Sequence, residues 1–188
     1  MIFETILTTN NEDGTTNIAP MGAVWNGKED RFLLHPFKSS KTYANLKRMK
    51  CGVLHITDDV QLIAQAVIGE IDPLPQLLPA DAIEGKILAD ACRWYVFDVV
   101  QFDDTQDKTT FDCEIVARGR IRDFRGFNRA KHAVIEAAIL ASRVAFLPAD
   151  EVQAQMKSLA VIVQKTAGPD EQRAFELLEN YINDQRNR

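Results

Sequence analysis

The segments Asn17-Ile18-Ala19-Pro20-Met21-Gly22 and His35-Pro36-Phe37-Lys38-Ser39-Ser40-Lys41-Thr42-Tyr43-Ala44-Asn45-Leu46 carry most of the information in this 188-residue chain. The first ends a β-branched-rich strand. Pro20 cannot donate a ladder hydrogen bond and Gly22 has no side chain, so pairing should weaken there and leave backbone groups able to approach a planar ligand. The same residues also read as an edge strand running into a bulge. The second segment crosses from a strand end into a helix N-terminus, where up to four backbone N–H groups lack intrahelical partners. Those donors, the hydroxyls of Ser39, Ser40 and Thr42, and the charges of Lys38 and Lys41 are what a phosphate requires. A Ser-capped helix with solvated lysines fits the same letters.

Outward from these segments, Ile2–Thr8 and Thr15–Val24 read as strands joined by the turn Asn10–Gly14, whose Asp13-Gly14 step suits a hairpin. A third strand, Arg31–His35, follows an Asn26-Gly27 turn. Tyr43, Leu46 and Met49 fall at helical spacing, with Gly52 as the stop. Cys51–Ile56 is a short apolar strand, after which Thr57-Asp58-Asp59 caps a helix with acid in its first turn. Leu62, Ile63, Ala66 and Val67 form its buried stripe, and Gly69 ends it. Asp72–Pro79 is a proline-broken loop. Trp94–Phe102 is a strand, and the turn Asp103–Lys108 leads to the alternating Phe111–Ile115, which continues towards Ile121 with a bend at Gly119.

The character changes after Phe124. Asn128 caps a long helix reaching Phe146, with Ala130, Val134, Ala137, Ala141 and Val144 on its apolar side. Leu159–Val163 reads as a last apolar strand from which Lys165 and Thr166 emerge. Gly168-Pro169-Asp170-Glu171 opens a C-terminal helix whose apolar face is Ala174, Leu177, Leu178, Tyr181 and Ile182. Strands first and helices last make an α+β chain.

The formal charge of −5 argues against a nucleic-acid partner, whose phosphates demand a basic balance. Three scattered cysteines, Cys51, Cys92 and Cys113, read as core thiols of a reducing compartment, and three histidines show no metal-ligand spacing, so no metal is expected. MIFETILTTN lacks the basic and apolar regions of a signal peptide, and no apolar run approaches the roughly 20 residues of a membrane span, so a cytoplasmic protein is expected. Trp25 and Trp94 can stack on a planar ligand or fill a core. His132 and Glu136 read as an i,i+4 surface pair. No Ser-His-Asp order, paired-carboxylate motif or Walker loop is present.

Taken together, N-x-A-P-M-G on an early strand followed by P-F-x-x-S-x-T-Y-x-N-L resembles the FMN-binding split-barrel superfamily, which includes flavin reductases and pyridoxamine-phosphate-oxidase-like proteins. The chain is similar, more narrowly, to an uncharacterised family of flavin-binding proteins within it. Phe127-Asn128-Arg129-Ala130 with Val134-Ile135-Glu136-Ala137, and Val163-Gln164-Lys165-Thr166-Ala167-Gly168, extend the resemblance along nearly the whole chain. It implies a six-stranded antiparallel split β-barrel over residues 1–124. A helical extension over 125–188 would pack on it as part of the same structural unit. It implies a homodimer with FMN at the subunit interface. The phosphate would meet Lys38, Ser39, Ser40, Thr42 and Asn45, and the ring would lie along Ala19, Pro20, Met21 and Gly22. Asn128, Arg129, Lys165 and Thr166 join the cofactor-binding set through the later motifs. His55 stands where the family pattern has Asn, a departure that bears on affinity or ring electronics if that position meets the ring. The function implied is a flavin-dependent oxidoreductase passing hydride between NAD(P)H and a small acceptor, since the cofactor carries such chemistry. The alternatives are a non-catalytic FMN carrier and a flavin-free interaction protein, because fold alone does not fix function.

Overall fold

The structure, a computed structural model, describes residues 1–25, 27 and 30–186. Asn26 of the expected Asn26-Gly27 turn and the last two residues of the polar tail lie outside the described residues. Two compact units are present: Met1–Thr57 with Pro75–Phe124, and Asp58–Leu74 with the chain from Arg125 onward.

The first unit is a barrel. Strands β1 (Ile2–Asn10), β2 (Thr16–Val24), β3 (Arg31–Leu34), β4 (Cys51–Ile56), β7 (Arg93–Asp103) and β8 (Thr110–Arg120) close in the order β1-β2-β3-β8-β7-β4. Every pairing is antiparallel, and β4 returns to β1 through Ile6↔His55, Leu7↔Leu54 and Thr8↔Val53. This is the six-stranded barrel that the sequence implies. Gly14 makes the β1–β2 turn at φ +79°, where a side chain would be strained. Alternate residues point inward: Leu7, Ala23, Phe32, Leu34, Leu54, Phe97, Phe111 and Ile115 form one buried cluster, on which α1 (Lys41–Met49) sets Leu46. Each fully buried side chain of this kind contributes about 1.5–3 kcal/mol.

Three local expectations are corrected here. Helix α1 ends not at Gly52 but at Lys50, which takes the left-handed C-cap at φ 58° and donates its N–H to the Leu46 carbonyl. Gly52 is instead inside β4, where a Cβ would stand 2.9 Å from Phe97 Cζ. The proline-broken loop finishes in a short hairpin of β5 (Leu77–Pro79) and β6 (Lys86–Leu88), too brief to show periodicity. The irregularity of β8 falls at Val116, skipped between Val96↔Ala117 and Phe97↔Ile115, rather than at Gly119.

The second unit is helical: α2 (Val60–Ile68), α3 (Arg129–Ser142), α4 (Ala149–Thr166) and α5 (Pro169–Arg186). Helix α2 packs against α3 and α5, α3 against α4 and α5, and α4 against α5. A boundary at residue 124 leaves α2 with the barrel, whereas its contacts group it with the C-terminal helices. Asp59 caps α2 through its carboxylate, and the acid stands at the cap instead of in the first turn. Val60, Leu62, Ile63 and Ala64 are its buried residues, with Ala66 and Val67 half-buried. Helix α3 stops at Ser142, short of Phe146. Leu159–Val163 is not a strand: it continues α4, whose buried Val152, Met156 and Val163 repeat at helical spacing. The β-branched run Val161-Ile162-Val163 mimics a strand, but the preceding Ala, Gln, Met and Lys residues are good helix formers.

Candidate functional site

Helix α1 begins at Ser40, whose backbone is extended and whose hydroxyl accepts from the Tyr43 N–H at 3.1 Å while donating to the Phe37 carbonyl at 2.7 Å. The Ala44 N–H is taken by the Ser40 carbonyl. Among the first four amides this leaves those of Lys41 and Thr42, which have no intrahelical partner and point along the positive end of the helix dipole. Lys38, Ser39 and Lys41 are exposed around them. Thr42 is buried, and its Oγ1 accepts from Asn17 Nδ2 at 3.2 Å.

That bond brings the two sequence segments together. Asn17 also donates to Thr9 Oγ1 at 3.3 Å, and Asn45, buried one turn further along α1, donates to Thr9 Oγ1 at 3.0 Å and to Asn11 Oδ1 at 2.8 Å. The first turn of α1 is therefore fixed beside β2. The β1–β2 ladder runs unbroken from Asn10↔Thr16 to Ile2↔Val24, so Pro20 and Gly22 do not interrupt it. The weakening is on the other edge: β2 meets β3 only at Ala23↔Leu34 and Val24↔Leu33. From Thr16 to Gly22 that edge has no strand beside it among the described residues. Pro20, having no N–H to pair, suits such an edge. Ala19, Pro20, Met21 and Gly22 are half-buried, and the Met21 carbonyl accepts from Thr5 Oγ1 at 2.5 Å.

The loop ahead of α1 is held by the turn between β7 and β8, a contribution the sequence did not signal beyond its cluster of Asp residues. Lys38 N–H donates to the Asp107 carbonyl at 3.0 Å, and Thr109 Oγ1 donates to the Pro36 carbonyl at 2.6 Å. Tyr43 OH and Lys47 Nζ both donate to Asp104 Oδ2, at 2.8 and 2.9 Å. Hydrogen bonds from Lys47 and Tyr43 hold the Asp104 carboxyl below the usual carboxylate range.

His55 is enclosed in the barrel unit and has no exposed surface. Nε2 accepts from the Leu88 N–H at 3.0 Å, so the proton sits on Nδ1, which donates to the Ile6 carbonyl at 3.1 Å. Burial pushes its pKa down to about 4. The ring is a neutral bridge between β1, β4 and β6, with both nitrogens taken by backbone partners. Trp25 and Trp94 also serve packing, Trp25 against Phe32 at 5.0 Å and Trp94 over Gly119.

In the helical unit, Asn128 caps α3 by accepting from the Ala130 and Lys131 N–H groups at 2.8 and 3.1 Å, and its Nδ2 donates to the Thr166 carbonyl at 3.2 Å. The start of α3 and the end of α4 thus meet, with Arg129 and Lys165 exposed at these helix ends. Lys131 is held at 3.3 Å from Asp58 Oδ2 and 3.8 Å from Glu171 Oε1. His132 and Glu136 form an exposed i,i+4 pair at 3.9 Å.

A family model described as a protein of unknown function (DUF447), N-terminal domain, matches residues 3–122, and a second, described as a protein of unknown function (DUF447), matches residues 128–180. Among curated proteins no match is found. Among solved structures the chain is similar to an FMN-bound protein of Methanosarcina mazei that carries the same family model. The two are 24% identical, with a TM-score of 0.83 over 96% of this chain and 94% of that one. It is also similar to the styrene monooxygenase flavin reductase of Pseudomonas putida S12, at 14% identity and a TM-score of 0.53 over 63% of this chain and 81% of that one. Flavoredoxin of Methanosarcina acetivorans matches at 13% identity and a TM-score of 0.54, over 63% and 68% of the two chains. These likenesses establish the split-barrel fold.

Proposed function

This chain belongs to the DUF447 family, and we propose that it binds FMN, with the phosphate at the start of α1 and the ring along the open edge of β2. One observation carries this reading: the Asn17–Thr42 bond sets the two unpartnered amides of α1 beside the stretch of β2 that lacks a strand neighbour. A helix N-terminus flanked by Lys38, Ser39 and Lys41 supplies what a phosphate dianion needs, and a backbone edge with free polar groups supplies what the rim of a planar ring needs. The donor set fits the cofactor. The FMN bound by the Methanosarcina mazei relative supports the same choice.

Within this site Lys38, Ser39 and the amides of Lys41 and Thr42 touch the phosphate. Ser40 and Asn45, whose groups are committed to the cap and to Thr9 and Asn11, hold the helix in place. Ala19, Pro20, Met21 and Gly22 face the ring. Arg129 and Lys165 are the exposed charges that the helical unit offers to an anionic group, while Asn128 and Thr166 position them. FMN supplies hydride and electron transfer when bound, and the protein's part is to bind, orient and shield it. The reaction we propose is oxidation of NAD(P)H coupled to reduction of a small acceptor, in a homodimer that carries FMN between its subunits. Flavin reductase among the structural relatives favours this over a carrier.

Quenching of FMN fluorescence on titration with the protein tests binding, and its absence would sink the proposal. Given binding, anaerobic mixing with NADH or NADPH should bleach the flavin band; an unbleached spectrum would leave the carrier reading. Light scattering at micromolar concentration should report a dimer, and a monomer would count against a shared site.

A further inference from the structure

Strand β7 opens on Arg93 and β8 closes on Arg120, and the antiparallel register sets these two directly opposite each other, with Tyr95 opposite Arg118. Opposed residues share a face of the sheet, with Cβ atoms roughly 4.5–5.5 Å apart. Phe97, next but one after Tyr95 on the same face, belongs to the barrel core, so Arg93, Arg118 and Arg120 lie on the inward-directed face, at its end. Aromatic rings floor this end: Trp25 stands 5.9 Å from Tyr95 and 5.5 Å from Phe3.

Folding alone does not favour this arrangement, because like charges held directly opposite across a sheet destabilise it. Two carboxylates offset part of it, Asp30 pairing with Arg118 and Asp123 pairing with Arg120 at 2.9 Å. Arg93 has no side-chain hydrogen bond or ion pair among the described residues, and it is exposed. Three guanidinium groups against two carboxylates leave a net positive mouth whose planar forks suit bidentate contact with an oxyanion.

We propose that Arg93, Arg118 and Arg120 form a second ligand site, for a small molecule bearing a phosphate or carboxylate group, at the end of the barrel where β7 begins and β8 ends. It is separate from the FMN phosphate site. Helix α1 is tied to β1 at Thr9, whereas this mouth adjoins β1 at Phe3, six residues away and about 20 Å along the strand. The proposal therefore goes beyond the flavin reading and stands or falls independently of it.

The experiment follows thermal unfolding of the full chain, saturated with FMN to fill the α1 site, against inorganic phosphate in one arm and malonate in the other. Either anion should raise the midpoint of the unmodified protein. Arg93→Gln and Arg120→Gln should each weaken that anion's apparent affinity about tenfold or more. In anion-free buffer Arg93→Gln should be at least as stable as the unmodified protein, since it removes only a repulsion, and Arg120→Gln, which also gives up the exposed Asp123 pair, should stay close to it. An equal anion response in the unmodified protein and both variants, or no response to either anion, overturns the proposal. Weakened FMN binding in a Lys38→Ala control, with the anion response kept, would confirm that the two sites are distinct.

Discussion

Asn17 on β2 donates to Thr42 in the first turn of α1 across 3.2 Å, and it is the only described side-chain bond running directly between those two elements. Both residues also belong to a network through Thr9, Asn45 and Asn11 that leaves few polar groups at this junction unmet. The cofactor site proposed above depends on this junction, because α1's amides and β2's open edge are useful to one ligand only if their spacing is fixed.

Asn17→Ala should therefore act twice. Removing the amide takes the donor from the buried Thr42 hydroxyl, while Thr9 keeps its bond from Asn45, at a cost of about 1–3 kcal/mol of stability. It should also weaken FMN binding without touching a residue assigned to the phosphate. Denaturant midpoints and FMN titrations on the same variant separate the two effects; an unaltered FMN affinity alongside a lowered midpoint would show that the junction does not position the site.

Lys38→Ala and Ser39→Ala should do the reverse. Both side chains are exposed and neither makes a side-chain bond among the described residues, so stability should stay within about 0.5 kcal/mol. Each lost contact to a charged phosphate should weaken FMN binding by about 1.5–3 kcal/mol. Fluorescence titration of each variant decides this, and a double variant that binds FMN as the unmodified chain does would put the phosphate elsewhere.

His55 should make the barrel sensitive to mild acid. Its folded pKa, depressed to about 4 chiefly by burial, lies below the unfolded value of 6.5, so the unfolded chain binds the extra proton first. Its contribution is complete above pH 6.5, falls as the pH drops through that window, and is gone below about pH 4. A shift of this size corresponds to roughly 3 kcal/mol. His55→Asn, which cannot titrate, should flatten the difference in unfolding free energy between pH 7 and pH 4.5 relative to the unmodified chain. Parallel stability curves for the two proteins would show that the ring is not held neutral.

Much of this was legible in the letters. Alternation at Phe111–Ile115, the Asp13-Gly14 turn and the Ser40 and Asn128 caps are local signals, and local physics decides them. What escaped was set by distant contacts. Lys50 could replace glycine as the α1 cap because β4 begins immediately afterwards and its N–H is needed by Leu46. Val161-Ile162-Val163 became helical because α4 has neighbours in α3 and α5, which override strand propensity. Asn17–Gly22 is legible as a strand, but which of its edges is open depends on how short β3 is, and no residue of β2 encodes that. The bridging role of His55 lies beyond local signals for a related reason: its partners, Ile6 and Leu88, are 49 and 33 residues away.

Gly119 offers the sharpest test of the barrel itself. It faces Trp94 across the β7–β8 ladder, and a Cβ there would stand 2.5 Å from Trp94 Cε2 and 2.7 Å from its Nε1, well inside van der Waals contact. Its backbone needs no glycine on conformational grounds, since it does not adopt a positive φ; the requirement is space alone. Gly119→Ala should therefore cost about 1–3 kcal/mol by overpacking, read as a lowered denaturant midpoint. Trp94 is half-buried, so trimming it opens room: Gly119→Ala combined with Trp94→Leu should lose less than the two single changes added together, because the clash exists only when both groups are present. Strict additivity in that double-mutant cycle would mean the indole does not lie over Gly119, and the β7–β8 register drawn through this pair would have to be redrawn.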